Sequence, residues 1–429
     1  MTTTDAPSRA ALREQNAEAR KHRPAHRRSD RSHRVLRALS LVVVGVFAFA
    51  ATAAGAVYYT FQDNIESVDV SALLGDAGED AGPEVPSGID DPNAGLPISI
   101  LLIGSDDRSG ANLALGGKDE GMRSDTTIVL HVSADRSRME MVSIPRDSLV
   151  DIPSCTMTDG STTKATQDTM FNAAFARGWD NGGDIGSAVG CTQKTVETLI
   201  GFKLDGFALV DFAGFQGMID AIGGVTMCIP EAIKSPDASL YLAAGEQTLN
   251  GTQALGLARA RKGTGANMDG SDLNRIGRQQ ELLAATMRTV LDQNILMNAP
   301  ALLQFLNAAT SSLTASPKLA SISNLSGLAY SLRGITGDKI TFMTIPVATS
   351  TVNKNRVEWT SEADEVWANM ATDLPIVTVE EPAVPETPAA PADPAAPVEP
   401  VAPTEPAPVE TKDPGKEAFT SADTTAVCE

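Results

Sequence analysis

The chain has 429 residues, with 54 Asp and Glu against 34 Lys and Arg, for a net charge of −20. That balance argues against a general nucleic-acid binder, which must neutralise phosphates along the duplex. Four histidines and four cysteines, at spacings that match no zinc site, argue against a zinc-built fold.

Residues 1–37 are polar, rich in Arg and His and nearly free of large apolar side chains, and read as a disordered arm. Residues 38–59 carry no charge, and Leu41-Val42-Val43-Val44-Gly45-Val46-Phe47 opens a run long enough to cross a bilayer once. Ten Lys and Arg precede it, so the positive-inside rule leaves the amino terminus in the cytoplasm. The expectation is a single-pass type II protein of the cell membrane with everything after Tyr59 outside. A cleaved signal peptide competes, since Ala53-Ala54-Gly55-Ala56 resembles a cleavage site, but the apolar run exceeds a usual signal core. Residues 60–96, rich in Asp, Gly and Pro, read as an extracytoplasmic linker.

Residues 97–374 are enough for one α/β domain, a mixed central β-sheet flanked by helices. Ile98 to Ile103 reads as a buried strand ending at Asp106. Thr126–Val132 and Met139–Ile144 read as a hairpin. If Val132 pairs with Met139, Asp125 falls opposite Arg146 at the open end. A first strand parallel to the second arm brings Asp106 to that edge, where ligands gather in open α/β sheets.

Cys155 and Cys191 lie in one polar excursion and would close it covalently, stabilising the fold by roughly 3–4 kcal/mol in an oxidising compartment. Thr195–Ile200 and Phe212–Ile222 read as amphipathic helices, and Cys228 as buried and free. Ser271 or Asp272 caps a helix with Leu273, Ile276, Leu283, Met287 and Val290 in one stripe, which aligns Asp272, Arg275 and Gln279 on a neighbouring face. Ile340–Pro346 supplies a late strand and Trp359–Met370 a last helix. Residues 375–429, built of Pro, Ala, Glu and Val, read as a disordered tail in which Cys428 reports nothing on the fold.

Arg259, Arg261, Arg275 and Arg278 fall within twenty residues of this acidic chain, interrupted by Gly263, Gly265 and Gly270. Two elements must converge to bring them together, and guanidinium forks so grouped call for a phosphate or carboxylate ligand. A solvated charged face is the plain alternative. Beyond the apolar run the only histidine is His131, in a hairpin strand, so a Ser-His-Asp device is not expected. Asp106 and Asp125 are hard oxygen ligands suited to Mg2+ shared with substrate phosphates, although Asp125 and Arg146 would equally make a simple ion pair. Arginines with a divalent ion meet the needs of phosphoryl transfer without a covalent intermediate.

Leu101-Leu102-Ile103-Gly104-Ser105-Asp106-Asp107-Arg108, Arg123-Ser124-Asp125-Thr126, Ser143-Ile144-Pro145-Arg146-Asp147-Ser148 and Asn172-Ala173-Ala174-Phe175 occur in that order. Val210-Asp211-Phe212, Asp220-Ala221-Ile222-Gly223-Gly224-Val225, Arg259-Ala260-Arg261 and Asp272-Leu273-Asn274-Arg275-Ile276-Gly277-Arg278-Gln279-Gln280 continue the series. Together these blocks resemble the LytR-CpsA-Psr family over about residues 97–374.

The resemblance implies a Mg2+-dependent phosphotransferase, with Mn2+ as the alternative ion. Its donor would be a polyprenyl-pyrophosphate-linked glycopolymer and its acceptor a peptidoglycan sugar hydroxyl, with a phosphodiester as product. It implies that Asp106 and Asp125 hold the metal and that Arg123, Arg146, Arg259, Arg261, Arg275 and Gln279 hold the pyrophosphate. Arg278 joins them by its place in the arginine group. Arg123, Arg146 and Arg275 would act in catalysis, with Asp147 and Asp272 as candidate general bases. An apolar tunnel for the prenyl chain is implied between sheet and helices. Members often carry a Lys near the Asn-Ala-Ala block, where this chain has Met170 and Phe171, with Lys164 nearby. A non-catalytic polyprenyl-phosphate binder and a pyrophosphatase are the alternatives. The transcriptional attenuator of the family's older label fits an external acidic domain least, and no nucleic-acid partner is expected.

Overall fold

The computed structural model describes residues 10, 13, 29–75, 91, 93–106, 122–265, 267–292, 299–377 and 411–428. It divides into two units, Met1–Thr60 and Phe61–Glu429. The first holds most of the helix Ser29–Asn64, on which Leu41, Val42, Val44, Phe47 and Phe49 are exposed. Among the described residues no helix is long and apolar enough to cross a membrane. Some side chains of the expected span, 38–59, lie outside the described residues, as does most of the expected arm 1–37.

The second unit is built on an eight-stranded sheet. Its strands are β1 (Glu66–Ser67), β2 (Ile98–Ser105), β3 (Ser124–Val132), β4 (Met139–Ser143), β5 (Gly206–Val210), β6 (Leu313–Ala315), β7 (Ile340–Thr344) and β8 (Phe419–Thr420). The spatial order is β1-β6-β5-β2-β3-β4-β7-β8. β5 runs parallel to β2, β2-β3-β4 are antiparallel, and β7 runs parallel to β4, so the sheet is mixed as expected.

Both faces are covered, and side chains alternate between them with the two-residue period of a strand. Leu101, Ile103, Val129, Val142, Phe207 and Leu209 pack with Phe175, Val189 and Val196 of the helices Ala173–Gly182 and Ile185–Ile200, and with Trp367 of the helix Ser361–Ala371. Ile128, Met141 and Phe342 turn the other way, onto Ala284, Leu283 and Met287 of the helix Asp272–Asp292. Of the predicted stripe Ile276 is buried and Leu273, Leu283, Met287 and Val290 are half-buried, while Leu282, Ala284 and Ala285 are the other apolar side chains that the helix buries fully. A second core joins the helices Phe212–Ala221 and Gly251–Arg259 to the hairpin Val225–Ile229/Gly245–Leu249.

Three expectations are corrected. Part of the linker belongs to the domain: β1 extends the sheet, and Val70 and Leu73 are buried in the core. The tail is ordered at 411–428, where β8 pairs with β7, while 378–410 lie outside the described residues. Cys228 is not free, because it is bonded to Cys428 across 200 residues, and the carboxyl end is thereby tied to the domain. The second disulfide, Cys155–Cys191, closes the polar excursion. His131 is buried between the Ser99 hydroxyl at 3.0 Å and Asp373 at 3.1 Å, a packed histidine rather than a catalytic one.

Candidate active site

The hairpin register places the first charges. Val132 pairs with Met139 and Ile128 with Ser143. Continued outward, that register brings the turn after β4 up to Asp125, and Arg146 Nη1 binds Asp125 Oδ1 there. Against β2, the pairing shifts between Gly104 and Ser105, so that Asp125 is the extra residue on β3. Such a bulge re-aims a side chain, and here it sits at the rim of the sheet. Asp106, one residue past β2, accepts from the Arg123 backbone N–H at 2.6 Å.

The helix Asp272–Asp292 supplies the other half. Asp272 lies in its first turn, where a carboxylate is favoured by the helix dipole. Its Oδ1 is 2.6 Å from Arg275 Nη2, and its Oδ2 accepts from the Arg146 backbone N–H at 3.1 Å. Arg275 is only 2% exposed, reaches Asp125 Oδ1 at 3.5 Å and donates to the Asp125 carbonyl at 2.9 Å. Two carboxylates and two guanidinium groups from three elements thus form one network, with Asp272 and Arg275 buried and Asp125 and Arg146 half-buried. The simple ion pair between Asp125 and Arg146 is part of it.

Arg259 and Arg261 arrive from the opposite side. The helix Gly251–Arg259 is set by a capping box between Asn250 and Gln253, and it ends at Arg259, whose guanidinium lies 4.5 Å from the centre of the Phe212 ring. Arg261 follows directly, with Nη2 3.7 Å from Asp147 Oδ2. The segment that carries Arg261 to Ser271 approaches the chain at Lys234 so closely that a Cβ on Gly263 would meet the Lys234 carbonyl at 2.1 Å. Glycine is required there for contact rather than for flexibility.

Electrostatics mark this network as short of negative charge on one side. Burial alone would raise the Asp125 carboxyl, but Arg275, Arg146 and Arg261 outweigh it and hold the group below its ordinary value. Burial raises Asp272 despite Arg275 and Arg146. Burial, then Arg146 and Arg275, disfavour the Arg261 cation more than Asp272 and Asp147 favour it. The buried Nε atoms of Arg146 and Arg261 have no hydrogen-bond partner among the described residues. Buried donors are nearly always satisfied, so an anion fits beside Arg261, whereas the Nε of Arg146 already faces Asp272 Oδ1 at 3.6 Å.

Two cavities meet at this network, and Arg259 lines both. One, of about 780 Å3, is polar and is walled by Asp147, Arg259, Arg261, Asp272, Lys354 and Arg356 among others. The other, of about 230 Å3, is apolar and lies between the sheet and the helices, with Leu102, Ile128, Val210, Phe215, Leu255 and Leu283 as walls. Asp125, Arg275 and Gln279 border the apolar cavity, and the Gln279 amide is fixed by donation to the Ala258 carbonyl at 2.9 Å.

Three predicted ligands of the anion line neither cavity: Arg146, whose guanidinium is held by Asp125 and Asp272, Arg278 and Arg123. Arg278 is buried with its guanidinium on the carbonyls of Ala260 and, at 2.5 Å, Asn267, so it braces the segment between the two arginine elements and lines neither cavity. Burial and the nearby Arg275 lower it to about 10. Its inward course follows from the backbone carbonyls that the 260–271 segment leaves unpaired. Arg123 is exposed and lines neither cavity; its backbone, not its side chain, touches Asp106.

Sequence reasoning missed Lys354 and Arg356. Both lie on the turn between the strands Val347–Thr349 and Val357–Trp359, and Arg356 Nη1 is 3.6 Å from Asp147 Oδ1. The basic pair around Asn355 was the available signal. Among the described residues there is no group of three or more His, Cys, Asp or Glu arranged for a metal ion. Of the two predicted metal ligands, Asp125 is bound to Arg146 and Arg275, and Asp106 accepts from the Arg123 N–H.

A model of the LytR_cpsA_psr family matches residues 67–372. The chain belongs to that family. Among LytR_cpsA_psr relatives, it is 32% identical over 277 residues to "Cell wall biosynthesis protein LcpA" of Corynebacterium glutamicum, covering 61% of this chain and 52% of the relative. It is 34% identical over 194 residues to "Polyisoprenyl-teichoic acid--peptidoglycan teichoic acid transferase TagV" of Bacillus subtilis, covering 44% of this chain and 42% of the relative. The chain spans about half the length of the curated relatives it matches. The crystal structure of B. subtilis TagV aligns with a TM-score of 0.47 at 27% identity, over 65% of this chain and 97% of that one.

Proposed function

We propose that this LytR_cpsA_psr protein moves a phosphate-linked glycopolymer from a polyprenyl-pyrophosphate carrier onto a peptidoglycan hydroxyl, outside the cell membrane. The observation that carries this reading is the meeting of a polar and an apolar cavity at Arg259, beside a network of arginines and carboxylates. An amphiphile with a greasy chain, a diphosphate and a sugar has the same order of parts. The names of the relatives supply the substrate class, wall polymer and peptidoglycan.

The apolar cavity takes the first prenyl units and the polar cavity the sugars. Arg259 and Arg261 then face the diphosphate, and Arg146 and Arg275 keep Asp125 and Asp272 in place. Transfer proceeds by attack of the acceptor oxygen on the glycan-side phosphorus. The bond to the bridging oxygen breaks, and prenyl phosphate leaves with its added charge held by the arginines. Asp272 is engaged with Arg275 and the Arg146 N–H, whereas Asp147 lies on the polar wall with its ion partners at 3.6–4.0 Å. Asp147 is therefore the better acceptor of the hydroxyl proton. Asp106 and Asp125 would hold Mg2+, which neutralises charge on phosphate oxygens when bound.

The same reading anchors the chain in the membrane through 38–59, supported by the absence of charge there and the ten Lys and Arg before it. The test is transfer from a short-prenyl diphosphate glycan to peptidoglycan, read by mass of the product. Arg146→Ala should lower turnover by about 10²–10³. Unchanged turnover overturns the assignment. Donor binding by the parent chain without product indicates a non-catalytic carrier, and release of the head group without acceptor a pyrophosphatase.

A further inference from the structure

We propose that Lys354 and Arg356 form a second anion subsite in the polar cavity, for a carboxylate of the peptidoglycan acceptor or a phosphate on the donor's sugar. The subsite rests on the transferase reading and says which face of the cavity discriminates among its glycans. Three observations lead to it.

The first is size. The polar cavity, at about 780 Å3, lies in the range of roughly 300–1,000 Å3 that holds ligands much larger than a diphosphate. The second is the division of charge. Arg146 and Arg275 are matched by Asp125 and Asp272. Asp147 stands between that inner group and the outer turn, 4.0 Å from Arg146, 3.7 Å from Arg261 and 3.6 Å from Arg356. One carboxylate is thus shared three ways. Lys354 is exposed and has no ion pair or hydrogen bond among the described residues. Glu358, the acidic residue nearest in sequence, is engaged by the Ser350 hydroxyl at 2.5 Å. The carboxylates Asp237 and Asp269 also line the cavity, and Asp269 is taken up by the Ser271 N–H at 2.8 Å and the Asn274 amide at 3.0 Å.

The third is rigidity. Ser350 is 2% exposed, and its hydroxyl accepts from the backbone N–H groups of Val352 at 3.1 Å and Asn353 at 3.2 Å. The turn closes with the Ser350 N–H on the Arg356 carbonyl at 2.9 Å and the Arg356 N–H on the Asn353 carbonyl at 2.8 Å. It is tied to the Asp147 turn by the Val357 N–H on the Asp147 carbonyl at 3.3 Å. A cationic pair is thus presented by a braced turn, on the wall of the polar cavity only. With the prenyl chain directed into the apolar cavity, this wall meets the glycan side of the reaction. Arg356 Nη1 donates to the Asn355 carbonyl at 2.8 Å, and the rest of the guanidinium beside Lys354 takes a carboxylate or phosphate there.

The experiment uses the full chain in detergent with two pairs of probes. One pair is peptidoglycan strands with peptide carboxylates free or amidated. The other is short-prenyl diphosphate donors whose sugar carries or lacks a phosphate. The parent chain should prefer the charged member of one pair, which identifies the source of the anion. Lys354→Ala with Arg356→Ala should lower that preference about tenfold or more through KM, the loss of one charge-assisted hydrogen bond. Arg356→Lys alone should retain part of it, which separates charge from folding. Turnover by the parent chain with no preference in either pair, or a preference that the double variant keeps, overturns the subsite and leaves the transferase standing. No turnover by the parent chain with any probe overturns both.

Discussion

The helix Asp272–Asp292 is held in two different ways along its length. Its first turn is gripped by charge, with Asp272 and Arg275 buried against Asp125 and Arg146. Farther on, its other face is gripped by the carboxyl-terminal segment, largely through backbone. Gly277 lies so close to that segment that a Cβ would meet the Pro414 carbonyl at 2.2 Å. Gln280 accepts from the Gly415 N–H at 3.1 Å while donating to the Ser143 hydroxyl at 2.9 Å, and Arg288 donates to the Ser421 carbonyl at 2.8 Å. The register of the helix is thus set away from the site, by contacts with the backbone of the carboxyl-terminal segment. The charged turn is left with donors that a ligand anion can fill.

Removing the charge on the site face should have the largest effect. Arg275→Ala leaves Asp272 buried without its closest cation, which costs about 3–5 kcal/mol in denaturant unfolding and abolishes transfer. Combining it with Asp272→Asn should recover part of that loss, because the unpaired carboxylate is gone. Equal stability of the single and double variants would mean that the pair is not coupled.

Breaking the other grip comes next. Cys228→Ser with Cys428→Ser should lower stability by about 2–5 kcal/mol and make 411–428 accessible to protease. If the two faces are independent, the folded fraction keeps its turnover, and a parallel fall in turnover per folded molecule would break the comparison. Arg278→Ala lies between the faces and leaves the carbonyls of Ala260 and Asn267 unpaired, for about 1–3 kcal/mol. It should also raise KM for the diphosphate donor, by loosening Arg261.

The smallest effect is a pH dependence on the face that meets the carboxyl-terminal segment. Burial raises the Glu281 carboxyl above its ordinary value, against the Thr425 hydroxyl and Arg288. A carboxyl raised by folding stabilises the fold below its unfolded value, and that contribution is lost as pH rises through the folded value. Glu281→Gln should therefore be the more stable chain at neutral pH, with the advantage fading on acidification. Thermal melts across that range check the sign, and an advantage that grows in acid would refute it.

Much of the site was legible because it depends on short-range periodicity. Alternation in the hairpin sets which residue faces which, and so Asp125 and Arg146 could be paired before any coordinates. Helical spacing likewise put Asp272, Arg275 and Gln279 on one side. Arg278 was misjudged because it stands about 60° around the helix from Arg275, and nothing in the chain text reveals that unpaired carbonyls wait there. The turn bearing Arg356 was overlooked because it lies some two hundred residues from Asp147 in the chain and meets it only through the fold.

The amino-acid order by itself determined β2, β3, β4 and β7, the helix that carries Asp272 and Arg275, the local disulfide and the residue types of an anion site, since these follow from backbone geometry and neighbours a few positions apart. Tertiary structure alone decided that Cys428 returns to Cys228, that β8 completes the sheet, and which arginines line the cavities. Those outcomes depend on how distant segments compete for the same buried groups, and no local pattern records that competition.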